Sequence, residues 1–230
     1  MSQPRPSSRR QAAPEPEELT PVPSGRQAWI ALLVMGALIL AVIGFGKLIN
    51  KALEPAVPDA LARCTTSTQT GPHTFLGPQP MCITASMKLQ ATVSTTQGDF
   101  VIDLAPEVAP VTVNNFVVLA IHGYYNGLNF WKQEDWVIQG GDPKGNGTGG
   151  PGYSLPDETT STPWGLAAVG MARPVNGPVN GSQFFIMKAA WPGSGPTTTY
   201  NRFGTVISGM DKVQLLQPTD TIRSITIKVS

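Results

Sequence analysis

Nineteen consecutive residues, Ala28 to Gly46, carry no charge and are mostly Ala, Val, Ile, Leu, Gly and Met, so this run divides the 230-residue chain into parts that cannot share one core. As a helix rising about 1.5 Å per residue it would be roughly 28 Å long, close to the hydrocarbon thickness of a bilayer. Trp29 and Phe45 sit near its ends, where interfacial aromatics are favoured, and Arg26 and Lys47 close it. A core helix rarely has an unbroken apolar circumference between two charges. An uncleaved transmembrane helix over 28–46 is therefore expected. The competing reading is a cleaved signal peptide, but the run exceeds a usual signal core and follows a long tail. The nearest small-x-small site, Ala60-Leu61-Ala62, lies well beyond it.

Residues 1–27 hold six prolines, several Ser and Gln, and mixed charges, which is too little apolar surface to offset ordering entropy; this tail is expected to be disordered. Residues 47–87 read as a Pro/Thr-rich linker, because Pro55, Pro58, Pro72, Pro78 and Pro80 forbid a long helix. The charges flanking the apolar run balance, with Arg9, Arg10 and Arg26 before it and Lys47, Lys51 and Arg63 after it, so they do not set an orientation. Cys64 and Cys82 flank a loop in the linker, and the region beyond has no cysteine. A disulfide clipping that loop in an oxidising compartment is expected, which favours an extracytoplasmic C-terminal domain; two free thiols are the alternative.

From residue 88 to 230 the pattern changes. Leu89, Ala91 and Val93 alternate with Lys88, Gln90, Thr92 and Ser94, the period of a half-buried strand, and Gln97-Gly98 signals a hairpin into Phe100–Leu104. Ala109-Pro110 opens a helix with Val113, Phe116, Val117, Ala120 and Ile121 on one apolar stripe and Gly123 at its end. Short runs follow at 130–136, 137–140, 167–172, 183–187 and 203–207, then a short helix near 210–216 and a closing strand at 222–229. With 24 Gly, 22 Pro and 13% charged residues, this composition predicts a mainly β barrel or sandwich. The net charge of +1, with no basic stripe, gives no reason to expect nucleic acid, and His73 and His122 are too scattered for zinc. The glycine-rich stretch 145–150 lacks the Gly-Lys-Ser/Thr of a phosphate loop, and Ser182 is in no nucleophile elbow.

The segment Phe130-Trp131-Lys132-Gln133-Glu134-Asp135-Trp136-Val137-Ile138-Gln139-Gly140-Gly141-Asp142, with Asn180-Gly181-Ser182-Gln183-Phe184-Phe185, resembles the active-site strands of the cyclophilins, peptidyl-prolyl cis–trans isomerases. Asn146–Gly150, Gly170–Ala172 and Phe203–Met210 match in family order, so the resemblance covers roughly residues 88 to 229. It implies an eight-stranded antiparallel β-barrel capped by two helices, and isomerisation of X–Pro bonds without a cofactor or metal. Position by position, it implies a proline pocket of Trp136, Val137 and Phe185, with Trp191 on a flanking loop and Tyr200 where many members have His. It places Ala172 and the backbone of Arg173 along the peptide, Thr148 and the glycines around it at a neighbouring subsite, and Gln183 near the substrate backbone. Lys132 stands where the family has its catalytic arginine, Gln139 where a glutamine orients that arginine, and Trp131 where His is usual.

Lysine keeps the charge but loses the planar two-armed fork, so a slower isomerase is expected. The expected partners are proline-containing polypeptides and one membrane span, with the protein a monomer. Two other readings stay open: a proline-segment binding module without useful turnover, and a structural subunit of a membrane complex.

Overall fold

The computed structural model describes residues 33, 35, 56–193 and 199–230. The tail expected to be disordered, residues 1–27, and, apart from helical Leu33 and Met35, the apolar run 28–46 lie outside the described residues. Among the described residues no helix is long and apolar enough to cross a membrane. The chain divides into two units, Met1–Glu54 and Pro55–Ser230, and the fold below is that of the second.

The unit begins with a single 3-10 turn, Asp59–Leu61, followed by a short hairpin, β1 (Gln69–Gly71) and β2 (Thr74–Phe75). Then come β3 (Leu89–Thr95), β4 (Gly98–Leu104) and helix α1 (Pro110–Ile121). They are followed by β5 (Phe130–Glu134), β6 (Val137–Gly140), β7 (Ser154–Leu155), β8 (Ala168–Met171), β9 (Val179–Asn180) and β10 (Phe184–Met187). Strand β11 (Arg202–Ser208), helix α2 (Met210–Leu215) and β12 (Ile222–Val229) complete the fold. Eight strands form one antiparallel sheet in the order β12-β3-β4-β11-β8-β10-β6-β5. The sheet curls until its edges meet: Asn129 bridges Thr221, Gly127 N–H donates to Ile222 O at 2.7 Å, and Ile222 N–H donates to Leu128 O at 2.8 Å.

Alternation explains the sheet's inner face. Strand β3 buries every second residue, Leu89, Ala91, Val93 and Thr95, and β4 buries Phe100, Ile102 and Leu104 opposite them. Phe116 of α1 closes over this face among Tyr125, Phe184 and Phe203, with ring centroids 5.1–5.7 Å away. Burial of each such ring stabilises the fold by about 1.5–3 kcal/mol.

Helix α1 is buried over nine consecutive residues, Thr112 to Ala120, rather than along the single stripe its apolar positions suggest. The reason is residues 56–87, expected as a linker, which pack onto it. Leu61, Cys64, Phe75, Cys82 and Ile83 belong to the main core, and the Cys64 and Cys82 sulfurs are bonded. Polar partners complete the contact. Asn114 Oδ1 accepts Cys82 N–H at 2.8 Å and Asn114 Nδ2 donates to Pro80 O at 3.0 Å, while Cys64 O lies 2.8 Å from His122 Nε2. The segment is thus a clip over the helix, and His122 serves it.

The helix N-terminus is completed from far along the chain. Ala109 gives no side-chain cap, but Glu158 Oε1 and Oε2 accept Val111 and Thr112 N–H at 2.9 and 2.8 Å. A carboxylate there satisfies two orphan donors and faces the positive end of the helix dipole. Glu158→Ala is expected to cost about 1–2 kcal/mol of stability, measured by chemical denaturation; an unchanged midpoint would show that water replaces the carboxylate at no cost.

Candidate functional site

An irregularity in strand pairing aims the site. On β5, Phe130 faces Gly140 and Lys132 faces Gln139, so two steps along β5 match one along β6 and Trp131 is the extra residue. Such a bulge re-aims side chains locally. It turns Trp131 and Lys132 toward a groove of about 370 Å³ on the sheet's outer side, whose floor comes from β6 and β10.

One end of the groove is apolar. Val137 and Phe185, both 4% exposed, form its base, in a small core with Ala168, Ala172 and Met187 that is separate from the main one. Trp136, Trp191 and Tyr200 stand around it; Trp136 lies 4.8 Å from Trp191, and Tyr200 lies 5.3 Å from Phe185 and 5.5 Å from Trp191. Trp164, which the sequence reading did not single out, supports this wall from behind, with its ring 5.2 Å from Phe185 and tilted by 33°. A Cβ at Gly170 would overlap both the Trp164 and Phe185 rings, so glycine is required where they meet. The only local signal for Trp164 is an aromatic between Pro163 and Gly165 in a Thr/Ser-rich loop.

The other end is polar. Gln139 Nε2 donates to Gln183 Oε1 at 2.9 Å, and Gln183 Nε2 donates to Gly147 O and Gly149 O at 3.1 and 2.8 Å. Gln183 is 3% exposed and its amide hydrogens are committed, so it braces Gln139 rather than donating to a ligand. Gln139 lines the groove, and among the described residues its Oε1 accepts no hydrogen bond. Lys132 lies opposite it, with its Nζ 2.7 Å from Glu134 Oε1. That hydrogen bond holds the Glu134 carboxyl below its usual range.

The glycine-rich loop after β6 is wound around buried Asp142, whose carboxylate accepts the N–H groups of Lys144, Asn146 and Gly147. A Cβ at Gly149 would overlap that carboxylate, which explains this glycine. The loop presents Gly147, not Thr148, to the groove: Thr148 is exposed and its hydroxyl donates to Asn146 Oδ1 at 2.8 Å.

Ala172 offers only its methyl group, since its N–H donates to Gln183 O at 2.8 Å and its C=O accepts Asn180 N–H at 2.9 Å. The backbone of Arg173, the next residue, makes no hydrogen bond among the described residues. Its guanidinium braces the lip, donating to Gly177 O, Asp157 Oδ1 and Thr199 O at 2.8, 2.8 and 3.0 Å. Trp131, Pro174, Val175 and Asn180 complete the lining, none of them singled out from the sequence as part of the groove. Of the sequence-derived site residues, all but Thr148 converge here.

The sequence and the fold have counterparts among known proteins. The family model for cyclophilin-type peptidyl-prolyl cis-trans isomerases matches residues 90–229. Peptidyl-prolyl cis-trans isomerase B of Bacillus subtilis is 38% identical over 128 residues, covering 55% of this chain and 88% of that protein. A peptidyl-prolyl cis-trans isomerase of Helicobacter pylori is 35% identical over 144 residues, covering 61% and 87%. A cyclophilin-type isomerase of Cryptosporidium parvum, crystallised in the presence of the dipeptide Ala-Pro, superimposes with a TM-score of 0.56 at 30% identity, covering 60% of this chain and 98% of that one. The chain belongs to the cyclophilin-type peptidyl-prolyl cis-trans isomerase family, a family of isomerase enzymes.

Proposed function

We propose that this protein isomerises X–Pro bonds of polypeptide clients outside the cytoplasm, held at a membrane by residues 28–46. The observation that carries the reading is one groove with an aromatic end and a cation–glutamine end beside it. Rotating the X–Pro amide means crossing a barrier of about 18–20 kcal/mol, and unaided exchange takes tens to hundreds of seconds. No covalent step is required. The site must hold the ring while the carbonyl swings, and must interact more strongly with the twisted amide than with either planar form.

Val137, Phe185 and the surrounding aromatics hold the proline ring. The backbone of Arg173, which makes no hydrogen bond among the described residues, aligns the peptide. Lys132 supplies the positive charge that stabilises the twisted amide, in which resonance between nitrogen and carbonyl is lost. Gln139 Oε1, fixed by Gln183, is the acceptor that steadies the ammonium. The Cys64–Cys82 bond supports an oxidising compartment, and the uncharged run supports the anchor. Exchange NMR on a short X–Pro peptide tests the reading: cis and trans resonances should exchange faster with the protein present.

A second reading rests on the Lys132–Glu134 ion pair, which occupies the cation opposite Gln139. With Lys132 retained there, the groove would bind proline segments without turning them over. Binding of the peptide with no exchange would establish that reading. In either case Trp136→Ala removes a wall of the apolar end and should weaken peptide affinity about tenfold, read by titration, without loss of fold; unchanged affinity would place the ring elsewhere.

A further inference from the structure

We infer that Glu134 is a brake on this site, holding Lys132 away from the amide it acts on, an inference that rests on the isomerase reading. Residues two apart on a strand share a face, so Lys132 and Glu134 project to the same side of β5. Their charged groups are 2.7 Å apart and both side chains are about two-fifths exposed, at 42% and 40%. Lys132 lines the groove; Glu134 does not. The ammonium is therefore drawn along the strand by a partner outside the cavity.

A second seat is built across the strand pair. Lys132 is the register partner of Gln139, which gives one amide hydrogen to Gln183 and whose Oε1 accepts nothing among the described residues. Lys132 thus has two acceptors within its strand neighbourhood, a carboxylate away from the groove and an amide oxygen within it. The carboxylate wins in the unliganded protein because charge–charge attraction exceeds charge–dipole attraction at equal distance. Glu134 acts twice against the reaction. It competes for the position of the ammonium, and its negative charge lowers the positive potential at the twisted amide. A lysine is open to such capture because it is a point charge on a flexible stem; a planar fork could bond Glu134 with one arm and still serve the groove with another.

The pair is solvent-exposed, and such pairs contribute up to about 1 kcal/mol, so releasing it should change rate by roughly two- to fivefold. The test uses the full chain and an X–Pro peptide followed by exchange NMR, with Glu134→Gln, Lys132→Ala and the double variant. The expected result is kcat raised roughly two- to fivefold by Glu134→Gln with peptide affinity unchanged, and no effect of Glu134→Gln when Lys132 is already alanine. A purely structural role for Glu134 would not depend on Lys132. Measurable parent turnover that falls or stays constant in Glu134→Gln overturns the brake alone, as does a rise that persists without Lys132. Absence of turnover in the parent and in Glu134→Gln, with peptide bound, overturns the isomerase reading itself.

Discussion

Lys132→Ala should lower kcat/KM on an X–Pro peptide by about 10- to 100-fold while leaving the peptide's affinity within a factor of about two. The two quantities separate because the groove divides its tasks. Affinity comes from the aromatic end, where Phe185, Trp136, Trp191 and Tyr200 surround the ring site, and none of these contacts involves Lys132. Rate comes from an interaction that strengthens only as the amide twists, and Lys132 is the cation that lines the groove opposite the Gln139–Gln183 pair. Loss of one preorganised transition-state donor costs about 10²–10³ in other enzymes. The expected loss here is smaller, because the lysine is shared with Glu134. Lys132→Arg should move in the opposite direction, by about tenfold, since one more charge-assisted hydrogen bond can be made in the twisted state. Exchange NMR gives the rates and peptide titration the affinities. Identical rates for the parent and Lys132→Ala would reduce Lys132 to a strand lysine and leave a proline-binding groove.

Legibility in the sequence followed the range of each interaction. Strands β3, β4 and β12 were readable because each has one wet face and one buried face, which stamps a period of two on the chain. Helix α1 was readable from Pro110 to Ile121, although not its burial on all sides. That burial depends on the clip, whose short strands β1 and β2 are too brief to carry a period. Its prolines exclude a long helix, yet a linker and a clip look alike until Asn114 finds its partners dozens of residues away. At the site, the positions that converge were legible through family motifs. Side-chain direction was not. Thr148 turns away because Asp142 winds its loop, and Arg173 turns back to brace Gly177 and Thr199. Glu134 could have been noticed as an opposite charge two residues from Lys132, which a strand places on the same face.

Opening the Cys64–Cys82 bond should cost about 3 kcal/mol of stability, a large share of the roughly 5–15 kcal/mol available to a domain. The bond joins residues 18 apart, and a closed loop of that length restricts the unfolded chain by about this amount. The folded state has its own stake in the clip. Leu61, Phe75 and Ile83 contribute to the main core, and Asn114 would exchange its bonds with Cys82 N–H and Pro80 O for water if the segment lifted away. Returning those apolar side chains to water costs about 1.5–3 kcal/mol for each one fully re-exposed, which opposes detachment even when the sulfurs are free. The clip should therefore stay seated after reduction, on a less stable domain. It also reaches the site: Gln79 donates to the Tyr153 hydroxyl at 2.9 Å, Tyr153 donates to Asn115 Oδ1 at 2.6 Å, and Asn115 donates to Gly181 O at 2.7 Å, two residues before Gln183. Denaturation of the parent with and without dithiothreitol, beside the double variant Cys64→Ala/Cys82→Ala, measures the effect. The reduced parent and the variant should lose similar stability, and the variant should not respond to reductant. Equal midpoints for oxidised and reduced parent would mean that the buried contacts alone close the loop, in the folded chain and in the denatured ensemble alike.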